Sequence, residues 1–547
     1  MQKITAPFMM ALLACSVSSF AEQTDTYLNT EPDINDNPSQ LQSIPMLQSL
    51  RNLKQQESRA PYVQDLKNRY HVRTLFVESQ DLPMVDIQLT FNAGSARDLE
   101  IGKGLYGLSN MAAKLMDEGT EKYTANQIVS VFEQSGAQFS IQAYRDMFIV
   151  KLRVLSDPQK LEPALAMMVE VLKNATFKNS SISMVLSNTQ TGQKQLQENP
   201  SSLMSIRFYR EIYGAHPYAQ PITGTNGSLK KITAENLKQF RDKFIVAQNM
   251  NIAITGKLSA KEALKLSERI AGNINQGEKA SPLPNPEAQN ALKIVHMPYD
   301  SEQAHVMIGQ LGTTRNDPER IALEVGNKMF GGGGFNAILM QELRVKRGYT
   351  YGAYSSFGFS QSPGLFSFSY STRQDQLIDS IQVAHKALTD FIQQPIDPKQ
   401  LKEVKAGMLR AYPNNYSSNA SINAQLGLLG FYAEPADYLD QYPKLLEKVS
   451  AADVQNAIRR HLHPEQLTLI VVSKELDKAH LNEILQNNLR PDSGSQPDSV
   501  TLKEVEAEKI KPPLANTPST PAAKATPQPM QEAGAPAQIQ RDRHASI

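Results

Sequence analysis

Apolar and polar residues alternate along two early stretches of the chain, and each stretch predicts a half-buried strand. The stretches are Val85–Phe91 and Phe148–Val154. Apolar residues spaced three and four apart predict amphipathic helices over Gly104–Met116 and Ala125–Ser135, and a third helix begins at Pro158. The order of these elements is therefore strand, helices, strand, helix.

The same order recurs in the second part of the chain. Val306–Leu311 alternates loosely, Phe366–Tyr370 alternates aromatic residues with serines, and Leu377–Phe391 carries the apolar stripe of a helix. A short apolar strand closes each series, at Asn251–Thr255 and at Gln466–Val471. The pattern predicts an α+β protein of two homologous halves of about 190 residues, each a mostly antiparallel sheet with helices packed on one face.

Changes in composition divide the chain into six segments. The lead-in is polar, the connection between the halves is rich in Pro, Asn, Gly and Glu, and the last segment is rich in Pro and Ala. The predicted segments are a signal peptide at 1–21, a flexible lead-in at 22–59, a first domain at 60–275, a linker at 276–291, a second domain at 292–489 and a disordered tail at 490–547.

The beginning of the chain has the pattern of an export signal. Lys3 precedes the apolar run Phe8–Ala14, and Ser19-Phe20-Ala21 is a small-x-small cleavage site. We therefore expect the mature protein in a bacterial periplasm. In an alternative interpretation, cleavage before Cys15 produces a lipoprotein that is anchored to a membrane through that cysteine. No later stretch reaches the roughly 18 consecutive apolar residues of a membrane-spanning helix.

Net charge and cysteine content exclude several classes of protein. The formal net charge of +1 gives no reason to expect a nucleic-acid partner. Cys15 is the single cysteine, so the chain forms no intrachain disulfide and no cysteine zinc cluster. A hydrophobic content of 40% is ordinary for a globular protein and is enough for a sizeable core.

A run of four glycines leads into a predicted helix and then into a predicted strand. The helix is expected over Phe335–Val345 and ends at Gly348, and an aromatic strand follows over Tyr349–Phe357. Because glycine has no Cβ, a ligand or another backbone can approach the run closely. The run lacks the GK[ST] ending of a phosphate-binding loop. The four glycines are Gly331, Gly332, Gly333 and Gly334.

Arg344 and Tyr351 lie seven residues apart, on either side of the corner between this helix and this strand. Such a corner can direct a guanidinium and a phenol at one place. The alternative is an ordinary helix–strand junction that carries surface charges.

The run QELRVKRGYTYGAYSS around this corner resembles the second-half signature of the pitrilysin/insulinase-type zinc metallopeptidases. The resemblance is to the two-domain branch that includes the mitochondrial processing peptidases. It implies two halves that face each other as a clamshell around a substrate chamber. It also implies that Arg344 and Tyr351 complete a peptidase site from the half that does not hold the metal.

The metal-binding motif of the family is missing from the helix that should carry it. The family takes two histidines and a general-base glutamate from HxxEH, and a further glutamate ligand from a helix about 70–80 residues further on. One alignment places the motif positions on Gly107, Asn110 and Met111, and the other places them on Asn110, Ala113 and Lys114. Neither alignment supplies a histidine.

The rest of the chain offers no replacement for this motif. Val171–Gln197, where the distal ligand is expected, contains no Asp or Glu. No two histidines have HxxEH or HxxxH spacing, and His461 and His463 are interpreted as a solvated pair. No serine lies in a G-x-S-x-G turn. We therefore predict no metal in this chain, which then lacks the usual means of lowering the pKa of water to about 7.

These observations predict a non-catalytic, metal-free subunit of a periplasmic pitrilysin-type zinc metallopeptidase. The resemblance implies a heterodimer in which an HxxEH-bearing partner of the same family holds the zinc and both chains contact the peptide substrate. Tyr351 would stabilise the developing oxyanion, an effect of roughly 3–4 kcal/mol at comparable sites, and Arg344 would hold a substrate carbonyl or carboxylate. Gly331–Gly334 would line the shared chamber.

Three alternatives remain open from the sequence. The first is a stand-alone peptide-binding or chaperone-like clamshell, and the second is a scaffold subunit of a larger assembly. The third is an independently active zinc metalloendopeptidase with an unusual ligand set.

Overall fold

A computed structural model of the protein describes residues 59–489. The predicted signal peptide, the possible lipid site at Cys15, nearly all of the lead-in and the tail from residue 490 lie outside the described residues. Among the described helices, none combines the length and the apolar character needed to cross a membrane.

The first half is built on a sheet of six strands in the order β1-β2-β6-β3-β5-β4. The pairing of β2 with β6 is parallel and the other pairings are antiparallel. The strands are β1 (Gln64–Leu66), β2 (Thr74–Glu78), β3 (Met84–Phe91), β4 (Gln138–Ala143), β5 (Phe148–Leu155) and β6 (Met250–Gly256).

The second half has a sheet of five strands in the order β7-β11-β8-β10-β9, with β7 and β11 parallel. This order repeats that of the first sheet without its edge strand β1. The central strands of both sheets follow the same connectivity, which confirms the predicted α+β class and the two homologous halves. The strands are β7 (Lys293–Pro298), β8 (Gln303–Leu311), β9 (Ala353–Phe357), β10 (Leu365–Arg373) and β11 (Thr468–Ser473).

Helix starts in the first half follow from capping side chains. Thr124, Thr233 and Ser259 each form a capping box, and Asp157 caps a helix with proline in its first turn. The helices are α1 (Leu108–Leu115), α2 (Ala125–Gln134), α3 (Pro158–Asn174), α4 (Asn179–Gln197), α5 (Pro200–Tyr213), α6 (Asn226–Leu229), α7 (Ala234–Phe244) and α8 (Ala260–Asn273).

The second half has a comparable helical layer, interrupted by one π-helix at Met340–Val345. The α-helices are α9 (Arg320–Phe330), α10 (Leu377–Gln393), α11 (Pro398–Ala411), α12 (Asn419–Phe431), α13 (Tyr438–Lys448), α14 (Ala451–His461) and α15 (Lys478–Asn488).

The two sheets exchange one helix with each other. Helix α5 belongs to the first half by sequence, yet Met204, Phe208 and Ile212 pack with Ile470 and Val472 of β11 in one buried cluster. The face of the second sheet that its own helices do not cover is therefore covered by the other half.

Helix α12 makes the reciprocal contact on the first sheet. Leu426 and Leu429 pack with Leu75 and Val77 of β2 in a separate buried cluster. A Cβ at Gly427 would lie 1.9 Å from the Gln88 amide nitrogen, so any larger residue there would have to displace that side chain. The helices predicted on one face of each sheet are present, and this exchange adds a helix on the opposite face.

A buried polar network also joins the halves. The Tyr218 hydroxyl donates to the Asp146 carboxylate and accepts from the Ser362 backbone N–H at 3.3 Å. The other oxygen of Asp146 accepts from the Gln361 backbone N–H at 3.0 Å. Burial raises the pKa of Asp146, against the hydrogen bond from Tyr218. First-half and second-half residues thus satisfy each other's buried polar groups.

Candidate functional site

A buried carboxylate fixes the helix on which the family carries its metal motif. Asp98 accepts hydrogen bonds from the backbone N–H groups of Gly107, Leu108 and Ser109 at 2.8–3.1 Å. Gly107 has a φ of +91°, and α1 begins only at Leu108 rather than at Gly104 as predicted. Burial raises the pKa of Asp98 to about 7, although these three hydrogen bonds oppose the shift.

The structure distinguishes the two alignments of the missing motif. The Lys114 ammonium lies 3.0 Å from the Thr189 hydroxyl of α4, which is 75 residues further along the chain. This separation is the one expected between the second histidine of the motif and the distal glutamate ligand. The structure therefore supports the alignment on Asn110, Ala113 and Lys114, because it places Lys114 against α4, the helix on which the distal ligand is expected. An ammonium and a hydroxyl occupy two places where the family has metal ligands.

The surroundings of these positions are amides and backbone carbonyls. Gln193, one helical turn beyond Thr189, donates to the backbone carbonyls of Thr223 and Gly224 at 3.1 and 2.9 Å. A Cβ at Gly107 would lie 2.9 Å from the Gly224 backbone, so the loop packs tightly over the start of α1. Amides and hydroxyls that are held in this way are poor ligands for Zn²⁺.

Two glycines of the run allow close packing, and a third adopts a left-handed backbone conformation. The Gly331 carbonyl accepts from the Ser355 backbone N–H at 3.0 Å, and a Cβ on Gly331 would lie 2.8 Å from that nitrogen. Gly332 packs in the same way against Asn327. Gly334 has a φ of +64°, a conformation that favours glycine. Gly331 and Gly332 thus serve internal packing, and the predicted role of the run in lining a chamber stays a prediction.

The helix predicted over Phe335–Val345 is shorter and of a different type. Residues 335–337 form a turn, and Met340–Val345 is a π-helix in which the Lys346 N–H donates to the Gln341 carbonyl at 3.0 Å. The left-handed Gly334 and the following turn prevent a regular start at Phe335. Single-turn π-helices occur frequently at functional sites, and this one carries Arg344.

The corner after the π-helix closes as the sequence predicts, but the strand begins later. Gly348 has a φ of +66°, and its N–H donates to the Arg344 carbonyl at 3.0 Å. The strand predicted from Tyr349 begins only at Ala353, because Thr350 and Gly352 form a side-chain turn. Tyr351 lies at the tip of this turn with 86% of its surface exposed.

The corner carries Arg344, which is half-buried, and several exposed apolar and aromatic side chains. The Arg344 guanidinium lies 4.7 Å from the ring centroid of Phe335, which is 59% exposed. Val345, Tyr351 and Tyr354 are also exposed. We call these five residues the corner patch.

Glu342, the acidic residue beside the corner patch, pairs with Lys346 and Arg347 and not with Arg344. Burial raises the pKa of Glu342, but its bonds to Lys346 and Arg347 outweigh burial and hold the pKa below its usual value. Within residues 59–489, Arg344 forms no ion pair and the Tyr351 hydroxyl forms no hydrogen bond. Both side chains therefore keep their polar groups free for an external partner.

The interpretation of His461 and His463 as a solvated pair is wrong for His461. The His461 side chain is 18% exposed, and its Nε2 lies 3.1 Å from a carboxylate oxygen of Glu319 and 3.7 Å from one of Asp317. His463 points elsewhere, with Nδ1 3.7 Å from Glu465. The carboxylates come from a loop about 140 residues earlier in the chain, so spacing along the sequence could not reveal them.

Two sequence profiles match the chain. Residues 73–226 match the profile described as insulinase (peptidase family M16), and residues 231–408 match the profile described as peptidase M16 inactive domain. A solved structure of a peptidase M16 inactive domain from Pseudomonas fluorescens is 31% identical, with a TM-score of 0.71, and covers 76% of this chain and 98% of its own. The chain belongs to peptidase family M16.

Two relatives illustrate the range of names in the family. A protein named non-peptidase homolog YmxG from Helicobacter pylori is 23% identical over 413 residues, which are 75% of this chain and 94% of the relative. A protein named uncharacterized zinc protease from Rickettsia bellii is 24% identical over 394 residues, 71% and 92% of the two chains. Together with the replaced ligand positions on α1 and α4, the similarity supports a non-catalytic member of the family.

Proposed function

We propose that this protein is a subunit without a catalytic zinc site of its own, and that it supplies Arg344 and Tyr351 to a peptidase site shared with an HxxEH-bearing chain of the same family. The single observation that carries the proposal is the corner patch. An 86% exposed tyrosine and an unpaired arginine lie on a π-helical corner, whereas the chain's own α1 and α4 carry Lys114 and Thr189 where ligands are required.

The chemistry of the corner patch suits the carbonyl of a peptide in the transition state. A phenol about 3 Å from the developing oxyanion contributes roughly 3–4 kcal/mol at comparable sites. A guanidinium held on an aromatic ring is oriented and partly dehydrated, so its fork of donors binds a carbonyl or carboxylate at lower entropic cost. In this proposal the partner supplies the zinc and the general base, the periplasm is the compartment, and peptides are the substrates.

The test is a reconstitution experiment. The protein is used as bait in a periplasmic extract, and a captured HxxEH-bearing family member is then purified separately. We expect that peptide cleavage by that chain rises on addition of this protein, and that Tyr351→Phe and Arg344→Ala each abolish at least nine-tenths of the gain, the loss expected when roughly 1.4 kcal/mol of transition-state stabilisation is removed.

Matched controls separate catalysis from assembly. Tyr354→Phe removes a hydroxyl three residues away, and Arg347→Ala removes an arginine that is already bound to Glu342. Both are expected to retain the gain. If both controls lose the gain to the same extent, the whole corner serves only docking, and if Tyr351→Phe retains the gain, the role assigned to Tyr351 is wrong.

A stand-alone peptide-binding function is the second candidate, and the edge strand β4 favours it. In the described part of the chain, β4 pairs with β5 along one side only, so its other side can accept an extended peptide as an added strand. This candidate predicts peptide capture without any partner, measured by fluorescence polarisation, with no dependence on Arg344.

A further inference from the structure

Asp317, Glu319 and His461 bring three metal-ligating side chains together in the second half. One ligating atom from each lies within 4.8 Å of the other two, and among the described residues no other group of three is this close. Asp317 and Glu319 precede α9, and His461 ends α14. We propose that these three side chains form a binding site for a zinc-class divalent cation, independent of the corner patch and of the proposed peptidase role.

The distances between the side chains fit the geometry of Zn²⁺. Two ligands that each lie about 2.0–2.1 Å from a tetrahedral zinc are about 3.3 Å apart. His461 Nε2 lies 3.1 Å from Glu319 Oε2 and 3.7 Å from Asp317 Oδ2, so the observed separations bracket that value. One imidazole nitrogen and two carboxylates suit zinc, whereas Ca²⁺ requires six to eight oxygen ligands.

Groups outside the triad hold both carboxylates in orientation. The Thr313 hydroxyl donates to Asp317 Oδ2 at 2.5 Å, and the backbone N–H of Glu319 donates to Asp317 Oδ1 at 2.8 Å. Arg460 lies 3.0 Å from Glu319 Oε1, the oxygen that does not face His461. Outer contacts of this kind orient ligands and raise their affinity for a metal.

The backbone that carries His461 is fixed as well. Gln310, a buried residue of β8, donates to the His461 carbonyl at 2.9 Å and accepts from the His463 backbone N–H at 2.8 Å. The three ligating side chains remain partly exposed, so an ion and a water molecule can reach them. A cation there would link the loop before α9 to the end of α14.

The test is zinc binding by the full chain after treatment with EDTA and desalting. ZnCl₂ is titrated in competition with a chromogenic chelator. We expect one equivalent in the wild type and an affinity at least about a hundred-fold weaker in His461→Gln, because a direct ligand is lost. Glu319→Gln is the second variant should His461→Gln fail to fold. Arg460→Ala should keep one equivalent with an affinity about tenfold weaker, since it removes only an outer contact.

The control is His463→Gln, which removes a histidine two residues away that faces Glu465 rather than the triad. Added ZnCl₂ should raise the melting temperature of the wild type and of His463→Gln but not that of His461→Gln. A wild type that binds no equivalent of zinc, or a His461→Gln variant that binds as tightly as the wild type, would show that the triad is an ion-pair network and overturn the proposal.

Discussion

The Lys114 ammonium and the Thr189 hydroxyl form a hydrogen bond of 3.0 Å between α1 and α4. This bond joins the two helices that a zinc ion joins in catalytic members of the family. A hydrogen bond between a lysine and a threonine can hold the two helices together, but unlike a zinc ion it does not lower the pKa of a bound water molecule. The first half therefore has the helix pair, with Lys114 and Thr189 in contact where the family motif would place metal ligands.

Restoring the motif in the alignment that the structure supports should restore a metal site. The variant Asn110→His, Ala113→Glu, Lys114→His and Thr189→Glu places two imidazoles and the general-base carboxylate on α1 and a ligating carboxylate on α4. Two imidazoles and one carboxylate are a ligand set that zinc accepts. We expect the variant to bind one more equivalent of zinc than the wild type, measured by elemental analysis after gel filtration.

The other alignment provides the control for this design. Gly107→His, Asn110→Glu and Met111→His, combined with Thr189→Glu, introduces the same residue types. Gly107 has a φ of +91° and Met111 is fully buried, so this variant should bind no additional zinc and should lose stability. Equal zinc in both variants would contradict the alignment.

Tyr218→Phe should destabilise the protein by about 1–3 kcal/mol. The fully buried hydroxyl donates to Asp146 and accepts from Ser362 across the two halves, and its removal leaves a buried carboxylate with one partner fewer. Urea denaturation measures the change. Tyr144→Phe removes an exposed hydroxyl bond to Gln142 and should stay within about 0.5 kcal/mol of the wild type.

Phe208→Ala should cost about 3–5 kcal/mol, the usual loss for a fully buried phenylalanine. The side chain comes from the first half but lies against β11 of the second. We therefore expect both halves to unfold in one earlier transition when melting is followed by circular dichroism. Leu445→Ala, an exposed position on α13, is the control. Two separated transitions in Phe208→Ala would show that the halves are only weakly coupled.

The stability of the protein should fall in acid partly because of His385. Burial lowers the pKa of His385 to about 4, against an opposing hydrogen bond with the Pro464 backbone. The unfolded chain then binds the proton more tightly, so this contribution is complete above pH 6.5 and is lost as the pH falls towards 4. The shift corresponds to roughly 3 kcal/mol.

The His385→Gln variant isolates this contribution. Its unfolding free energy should depend less steeply on pH between 4 and 6.5 than that of the wild type. His480→Gln, which changes an exposed histidine, should follow the wild-type curve. An unchanged slope in His385→Gln would mean that the residue is protonated in the folded protein.

The class of the fold could be predicted because strands and helices leave different spacings in the sequence. The alternation at Phe366–Tyr370 became the centre of β10, and the stripe at Leu377–Phe391 became α10. The exchange of helices could not be predicted, because an apolar residue such as Phe208 indicates burial but not the sheet against which it packs. One signal existed: the apolar residues of α12 surround the helix instead of forming one stripe.

The candidate site was predictable only in part for the same reason. The corner with Arg344, Gly348 and Tyr351 is local in sequence, and its glycine signal correctly marked the end of the helix. The π-helical turn depends on backbone hydrogen bonds that reach the fifth residue back instead of the fourth, and this difference leaves no signal in residue spacing. The pairing of Lys114 with Thr189 depends on contacts between distant helices, which a single sequence does not encode in any simple pattern.

Because α5 and α12 each pack on the sheet of the opposite half, we expect the two halves to stay associated even when the chain between them is cut. Residues 275–290 carry no helix or strand, whereas each sheet relies on a helix from the opposite half to shield one of its faces from water. A protease nick in that connector should leave two fragments that still migrate as one particle under native conditions. Either fragment expressed by itself should aggregate through its bare sheet.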